Sequence, residues 1–179
     1  LVENTIKIIN QHFDKCINVI DIGTGSGCIG LTLKKELPNI SVTLTDISKK
    51  ALKVAKENAK GMDVTFIYSD ILKNVEGKYD VIISNPPYIS YDEEIMEIVK
   101  NNGPRIALYA KNNGLYYYEE ILKNAKKVLN DNFLIAFEMG CNQKEAIKKL
   151  AHKYLNNIEI ICKRDLSNKD RMIFIMNKK

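Results

Sequence analysis

The sequence predicts an α/β domain built on a doubly wound, mostly parallel sheet of seven strands. Short apolar runs of strand length alternate with runs of helical periodicity along the 179 residues. This order is typical of a parallel sheet with helices on both faces. The strand-like runs are almost continuously apolar, which indicates that both of their sides are buried. A chain of this length is sufficient for one domain with a sizeable core.

The predicted strands are runs rich in apolar and β-branched residues. The last two runs are joined only by the polar stretch 163–170, with no helix between them. Strands joined by so short a connection must be antiparallel neighbours. One strand of this closing hairpin should therefore run antiparallel to the rest of the sheet. The seven predicted strands cover residues 17–22, 40–45, 64–68, 79–84, 133–137, 158–162 and 172–176.

Apolar residues at helical spacing predict helices between these strands. Ser48 is a good N-cap and Gly61 a good stop for one of them. Asn142 and Glu145 resemble a capping box for another. Residues 130–132, Asn-Asp-Asn, predict a turn, and the irregular stretch 89–113 predicts a loop or lid. The predicted helices cover residues 28–37, 48–59, 115–129 and 142–154.

The composition is that of an ordinary globular protein, with a formal net charge of +5. This surplus permits an acidic or nucleic-acid partner without requiring one. No apolar run approaches the roughly 18 residues that a membrane span needs, and no signal peptide is visible. The four cysteines form no C-x-x-C pair, which argues against a zinc site or disulfide framework. We expect a cytoplasmic protein with no membrane partner, and Cys28 and Cys162 as small core residues.

A glycine-rich turn, Gly23-Thr24-Gly25-Ser26-Gly27, follows the first predicted strand and opens the first predicted helix. Glycines allow positive φ and let a ligand approach the backbone closely. Residues 25–30 also match G-x-G-x-x-G, and Asp46 follows about twenty residues later. A dinucleotide site is one interpretation of this spacing, and a tight turn without a ligand is another.

Three carboxylates at predicted strand ends favour S-adenosylmethionine over a dinucleotide. Asp21 precedes the first glycine, where it suits a cationic amino-acid group better than a pyrophosphate. Asp46 is placed to hold ribose hydroxyls and Asp70 to accept from an adenine amino group, because ligands of open α/β sheets bind at the carboxyl ends of strands. Each aspartate alone could be a helix cap or turn residue. The predicted cofactor-binding residues are Asp21, Gly23, Thr24, Gly25, Gly27, Asp46, Asp70 and Asn85.

The stretch Asn85-Pro86-Pro87-Tyr88 directly follows the fourth predicted strand. Prolines fix φ and supply no N–H, and the residue before a proline is held extended. The stretch would therefore present the Asn85 amide oxygen, the Pro86 carbonyl and the Tyr88 ring to a planar NH₂ group. All four residues are predicted to bind the substrate, with Asn85, Pro86 and Tyr88 as the catalytic ones. A rigid strand exit without chemistry is the alternative.

Taken together, these motifs resemble the HemK/PrmC family of class I S-adenosylmethionine-dependent methyltransferases. The resemblance implies strand order 3-2-1-4-5-7-6 with strand 7 antiparallel. It also implies N5-methylation of the glutamine in the Gly-Gly-Gln motif of peptide-chain release factors, with no nucleic acid required. The matching stretches are residues 1–3, 21–27, 84–89, 104–108, 113–115 and 164–166, with Asp170-Arg171.

The chain departs from the family pattern in two places. Gly103 stands where the family usually has a glutamate, and the family's N-terminal helical domain is not found. We therefore expect residues 1–179 to be the catalytic domain alone. The rival interpretations are an adenine-N6 methyltransferase acting on DNA or RNA, a non-catalytic S-adenosylmethionine-binding module, and an NAD-binding dehydrogenase.

Overall fold

The seven predicted strands are present as β1 Asn18–Ile22, β2 Ser41–Asp46, β3 Thr65–Tyr68, β4 Tyr79–Ser84, β5 Leu129–Glu138, β6 Ile158–Arg164 and β7 Asp170–Asn177. They form one sheet in the order β3-β2-β1-β4-β5-β7-β6. The structure, a computed structural model, describes residues 1–13, 16–90 and 109–178. Only β7 runs antiparallel to its neighbours, β5 and β6. The predicted fold class and strand order are confirmed.

The described residues contain five helices, one more than the sequence predicted. The additional helix, α1 (Val2–His12), buries Thr5, Ile8 and Ile9. It has no side-chain cap at its start, so the sequence lacked the capping residue that usually marks the start of a helix. The Ser48 cap is confirmed, because its hydroxyl accepts from the Ala51 N–H at 3.2 Å. The helices are α1 Val2–His12, α2 Cys28–Glu36, α3 Lys49–Asn58, α4 Tyr116–Val128 and α5 Lys144–Tyr154.

Both faces of the sheet are buried, as the continuous apolar runs predicted. Alternate strand residues point to opposite faces. Ile20 and Ile82 lie in a cluster with Tyr118 of α4, whereas Val19 and Val81 belong to a second cluster that includes residues of α1 and α2. The central strands β1 and β4 are thereby held rigidly between two helical layers, and their ends provide a fixed platform.

Three local predictions were wrong. Helix α5 begins at Lys144, and its N-cap Gln143 makes no capping bond, so the predicted capping box does not form. Residues 130–132 do not form a turn between elements but lie within β5, whose register with β4 shifts just there. Cys28 is exposed because it begins α2 at the rim of the sheet, whereas Cys162 packs against the core as expected.

Beyond the main sheet, Ile89–Ser90 pairs in parallel with Tyr109–Ala110. Most of the predicted lid, together with Gly103 and the motif at 104–108, lies outside the described residues. None of the helices within residues 1–13, 16–90 and 109–178 is long and apolar enough to cross a membrane.

Candidate functional site

Four parallel strands end at one edge of the sheet and open onto a cleft of about 280 Å³. The register aligns Ile22 of β1 with Thr45 of β2 and with Ser84 of β4. The residues that follow these strands are therefore neighbours in space. The cleft brings together seven of the predicted site residues, namely Gly23, Gly25, Asp46, Asp70, Asn85, Pro86 and Pro87.

The glycine turn borders this cleft with exposed backbone. Gly23 and Gly25 have φ of +68° and +59°, and a Cβ at either position would meet no atom within 4 Å. A ligand can therefore approach this backbone directly. Gly27 has a different role, because a Cβ there would lie 2.8 Å from the Leu31 side chain. It is buried where α2 begins and does not line the cleft.

Asp21 lies beneath the glycine turn and is 1% exposed. Its Oδ2 accepts from the Thr24 hydroxyl at 2.6 Å and from the Gly30 N–H at 3.0 Å. Burial raises the pKa of the Asp21 carboxyl to about 6, although these two hydrogen bonds oppose the shift. The other oxygen, Oδ1, has no hydrogen-bond partner among the described residues. A buried acceptor left unpaired is costly, so this oxygen favours a cationic donor.

Asp46 connects the glycine turn to the start of α3. Its Oδ2 accepts from the Gly25 N–H at 2.9 Å, and its Oδ1 accepts from the Ser48 N–H at 2.7 Å. A carboxylate oxygen has more than one acceptor site, so both oxygens can still accept from ligand hydroxyl groups. Asp46 is therefore held in a fixed orientation before any ligand binds.

Asp70 follows β3 and lies at the far end of the cleft. Its carboxylate is partly exposed and forms an ion pair with Lys73. The next residue, Ile71, has φ of +56°, which is rare for a β-branched side chain. Ile71 packs against the core and lines the cleft. This backbone conformation places Asp70 and Ile71 together at the cleft wall.

Asn85 is the first residue after β4, and its side chain is exposed. The strand end before it is fixed, because the Ser84 hydroxyl donates to the Ile22 carbonyl at 2.6 Å. Pro86 is buried and Pro87 half-buried, and both line the cleft. No side chain in residues 1–13, 16–90 or 109–178 hydrogen-bonds the Asn85 amide or the Pro86 carbonyl.

Four predicted site residues are absent from the cleft lining. One is Gly27, at the start of α2, and the other three, Asp21, Thr24 and Tyr88, lie behind the cleft. The Thr24 hydroxyl donates to Asp21, and so does the Gly30 N–H in α2. Tyr88 packs against the core, and its hydroxyl accepts from Arg171 Nη1 at 3.4 Å. Burial is the main cause that raises the pKa of the Tyr88 hydroxyl, and the Glu138 charge adds to it. Asp21 and Thr24 support the glycine turn from below, and Tyr88 supports the Asn85–Pro87 edge from behind.

Comparison with known proteins supplies the family. A sequence profile of the methyltransferase small domain matches residues 2–113. The chain belongs to the methyltransferase small domain family. It is 37% identical over 182 residues to a release factor glutamine methyltransferase of Bacillus cereus, covering 97% of this chain and 64% of that relative. It is also 43% identical over 179 residues to a bifunctional methyltransferase of Rickettsia felis, covering 96% of this chain and 34% of that relative.

A solved structure has the same fold. The protein-(glutamine-N5) methyltransferase of Alicyclobacillus acidocaldarius, described as release factor-specific, superposes with a TM-score of 0.62 at 23% identity. The match covers 99% of this chain and 90% of the other. The family match and the identity to the Bacillus relative confirm the resemblance drawn from the motifs. The chain spans about two thirds of the length of that relative.

Membership of a methyltransferase family with this fold implies use of S-adenosylmethionine, and the cleft residues fit that group. The unpaired Asp21 Oδ1 suits an ammonium, and the open Cβ positions of Gly23 and Gly25 leave room for a chain of atoms along the turn. The carboxylate of Asp46 retains acceptor capacity for two hydroxyls. These acceptor groups and the open glycine turn are therefore suited to a cationic, ribose-bearing ligand.

Sequence reasoning missed several residues of the cleft. Ile47 lines it and is 46% exposed, which is unusual for so apolar a residue beside a polar turn. Tyr117 also lines the cleft and was not among the predicted site residues. The adjacent Tyr118 is fully buried on the apolar face of α4. An apolar residue directly after a strand-end acid, as in Asp46-Ile47, is a signal that could have identified Ile47.

Proposed function

We propose that this domain transfers the methyl group of S-adenosylmethionine to the side-chain amide nitrogen of the glutamine in the Gly-Gly-Gln motif of release factors. The observation that carries the proposal is the position of Asn85 and Pro86 on the same cleft as the glycine turn and Asp46. The relatives described as release factor glutamine methyltransferases support the choice of substrate. Residues 1–179 would form the catalytic domain, acting in the cytoplasm where translation takes place.

The donor would lie along the side of the cleft formed by β1, β2 and β3. Gly23 and Gly25 would cradle its amino-acid portion, with Asp21 Oδ1 facing the ammonium through the turn. Asp46 would accept from the ribose hydroxyls, and Asp70 from the adenine amino group. Ile47 and Ile71, which line this part of the cleft, would cover the faces of the adenine ring. The bound cofactor supplies an electrophilic methyl group on a sulfonium.

The acceptor would bind at the opposite edge. The Asn85 Oδ1 and the Pro86 carbonyl would accept the two N–H groups of the glutamine amide and aim its nitrogen at the methyl group. An amide nitrogen is a weak nucleophile, so fixed acceptors that stabilise its developing positive charge contribute most. Holding the reacting atoms roughly 3–3.5 Å apart lowers the barrier further. Tyr88 would support this edge from behind. The amide nitrogen would lose one proton to solvent as it gains the methyl group, so no strong general base is required.

The direct test measures labelled-methyl transfer from S-adenosylmethionine to a purified release factor. We expect incorporation into the wild-type factor and none into a factor whose Gly-Gly-Gln glutamine is replaced by alanine. Naked RNA and DNA serve as competing acceptors, because an adenine amine has the same planar NH₂ geometry. Labelling of nucleic acid instead of the factor would reject the proposal in favour of an adenine-N6 methyltransferase.

A further inference from the structure

Three loops of the molecule meet at the side chain of Gln143. Its Nε2 donates to the Tyr88 carbonyl at 2.9 Å and to the Asn113 carbonyl at 3.3 Å. Its Oε1 accepts from the Gly140 N–H at 3.0 Å. One amide group therefore joins the segment after β4, the turn before α4 and the turn after β5.

The junction is closely packed as well as hydrogen-bonded. Gly114 has φ of +80°, and a Cβ at this position would lie 2.1 Å from the Tyr88 carbonyl oxygen and 2.4 Å from Gln143 Nε2. Contacts this short are not tolerated by backbone atoms, so only glycine fits between the two groups. The Tyr88 carbonyl is thus held between Gly114 and Gln143.

A second contact holds the other end of Tyr88. Arg171 Nη1 donates to the Tyr88 hydroxyl at 3.4 Å and to the Met139 carbonyl at 3.2 Å. The Arg171 Nε in turn pairs with Asp165 at 3.2 Å, within the hairpin that closes the sheet. In the part of the chain that the structure describes, the side-chain hydrogen bonds to residues 85–88 all end on Tyr88.

This arrangement matters for the acceptor edge because the intervening residues are stiff. Pro86 and Pro87 have fixed φ, and Asn85 is held extended by the proline that follows. The start of the segment is fixed by β4, and its end is fixed at Tyr88. Movement of the Tyr88 carbonyl would therefore be transmitted through the two prolines to the Pro86 carbonyl and the Asn85 amide.

We propose that Gln143 is a positioning residue for methyl transfer, acting through the Tyr88 carbonyl to set the acceptor geometry of Asn85 and Pro86. The inference rests on the proposed function, since it assigns Gln143 a role in that same reaction. Gln143 does not line the cleft, so it acts without touching the cofactor. Loss of the hydrogen bond from Gln143 to the Tyr88 carbonyl should therefore lower turnover and leave cofactor binding unchanged.

The test compares Gln143→Glu with Asn142→Asp. Both replace an amide by a carboxylate, but Asn142 is exposed and its Nδ2 donates to no described residue. A Glu at 143 can still accept from Gly140 but cannot donate to Tyr88. We expect kcat to fall about 10- to 100-fold in Gln143→Glu, with the Kd for S-adenosylhomocysteine within about twofold of wild type. Asn142→Asp should match wild type in both.

Amide hydrogen exchange provides a second readout that does not depend on the substrate. The peptide covering residues 84–90 should exchange several-fold faster in Gln143→Glu than in Asn142→Asp. If Gln143→Glu is partly unfolded at the assay temperature, Gln143→Met, which adds no charge, carries the same predictions. Its matched control is Lys149→Met, at an exposed position on the same helix.

The outcomes separate this inference from the proposed function. Normal kcat in Gln143→Glu, or unchanged exchange over residues 84–90, would overturn the positioning role. An equal loss of kcat and cofactor affinity would also overturn it, because that result indicates general destabilisation. If the wild-type protein fails to methylate any release factor, the proposed function is rejected, and faster exchange would still establish that Gln143 holds the segment.

Discussion

The two edges of the cleft differ in how far hydrogen bonds within the chain fix their side chains before a ligand binds. On the edge formed by β1 and β2, the chain's own hydrogen bonds already fix the carboxylates, since Asp46 accepts from Gly25 and Ser48 and Asp21 accepts from Thr24 and Gly30. On the edge after β4, the Asn85 side chain is exposed and is held by no side chain of the described residues. One edge is preorganised by local contacts, and the other depends on supports farther along the chain.

This difference assigns cofactor binding and chemistry to separate edges of the cleft. Preorganised acceptors bind a ligand without reorganisation, so the β1–β2 edge should set cofactor affinity. Acceptors that act on charge developing during the reaction set the rate instead. Substitutions at the two edges should therefore separate cleanly into effects on Kd and effects on kcat.

Substitutions at the acceptor edge should give the greatest loss of activity. Asn85→Ala removes one of the two proposed acceptors for the glutamine amide, so kcat should fall about 10²- to 10³-fold. Asn85→Asp should also impair turnover, and the Kd for S-adenosylhomocysteine should change by less than about threefold in both. Saturating-cofactor kinetics and calorimetry measure the two quantities, with the exposed Asn39→Ala as control. Near-normal turnover in a folded Asn85→Ala protein would remove Asn85 from the mechanism.

The next largest effect belongs to the cofactor edge. Asp46→Ala should weaken S-adenosylhomocysteine binding about 100-fold, because hydrogen bonds to a charged group contribute about 1.5–3 kcal/mol each. At saturating cofactor, kcat should recover to within a few-fold of wild type. The matched control is Asp63→Ala at an exposed position. A large kcat defect with unchanged Kd would mean that the two edges are not functionally separate.

The supports of the acceptor edge can be tested through stability. Gly114 and Gly61 have nearly equal φ, +80° and +79°, but a Cβ at Gly61 would meet no atom within 4 Å. Gly61→Ala should lower the free energy of unfolding by about 1–2 kcal/mol through backbone strain alone. Gly114→Ala should lower it by a further 1–3 kcal/mol or so because of overpacking. Denaturant unfolding measures the difference, and equal losses would show that the junction at Tyr88 is loosely packed.

The smallest expected effect is on the pH dependence of cofactor binding. The pKa of Asp21 is about 6 in the free protein, above its ordinary value of 3.8, so its contribution to stability is present below pH 3.8 and is lost as pH rises through 6. Burial favours the protonated carboxyl of Asp21, whereas a bound ammonium favours the ionised carboxylate. The Kd for S-adenosylhomocysteine should therefore be about fourfold weaker at pH 5.5 than at pH 7.5. Calorimetry at both values measures this, and Asp21→Asn should remove the dependence.

The β1–β2 edge could be predicted from the sequence to a large extent. Apolar runs located the strands, and the residues just after them, such as Gly23, Gly25, Asp46 and Asp70, then had to share one edge of the sheet. The same reasoning placed Asn85 and Pro86 beside them. These predictions succeeded because each depends only on where a strand ends.

The supports of the acceptor edge could not be predicted in this way. Gln143 contacts Tyr88 across 55 positions of sequence, and the local pattern at Asn142 and Glu145 indicated a capping box instead. Helix α1 was missed because its cap is absent and its apolar residues are interspersed with polar ones. The positive φ of Ile71 also gave no signal, since β-branched residues rarely adopt it. Long-range contacts and strained backbone both depend on tertiary structure.

The most direct test is a crystal structure with S-adenosylhomocysteine and a Gly-Gly-Gln peptide bound together. We predict the amino-acid portion on the Gly23–Gly27 turn, the ribose on Asp46, and the peptide glutamine amide between Asn85 Oδ1 and the Pro86 carbonyl. Its nitrogen should lie roughly 3–3.5 Å from where the methyl group would be. A glutamine bound away from Asn85, or a sulfur at the other edge of the sheet, would contradict the account.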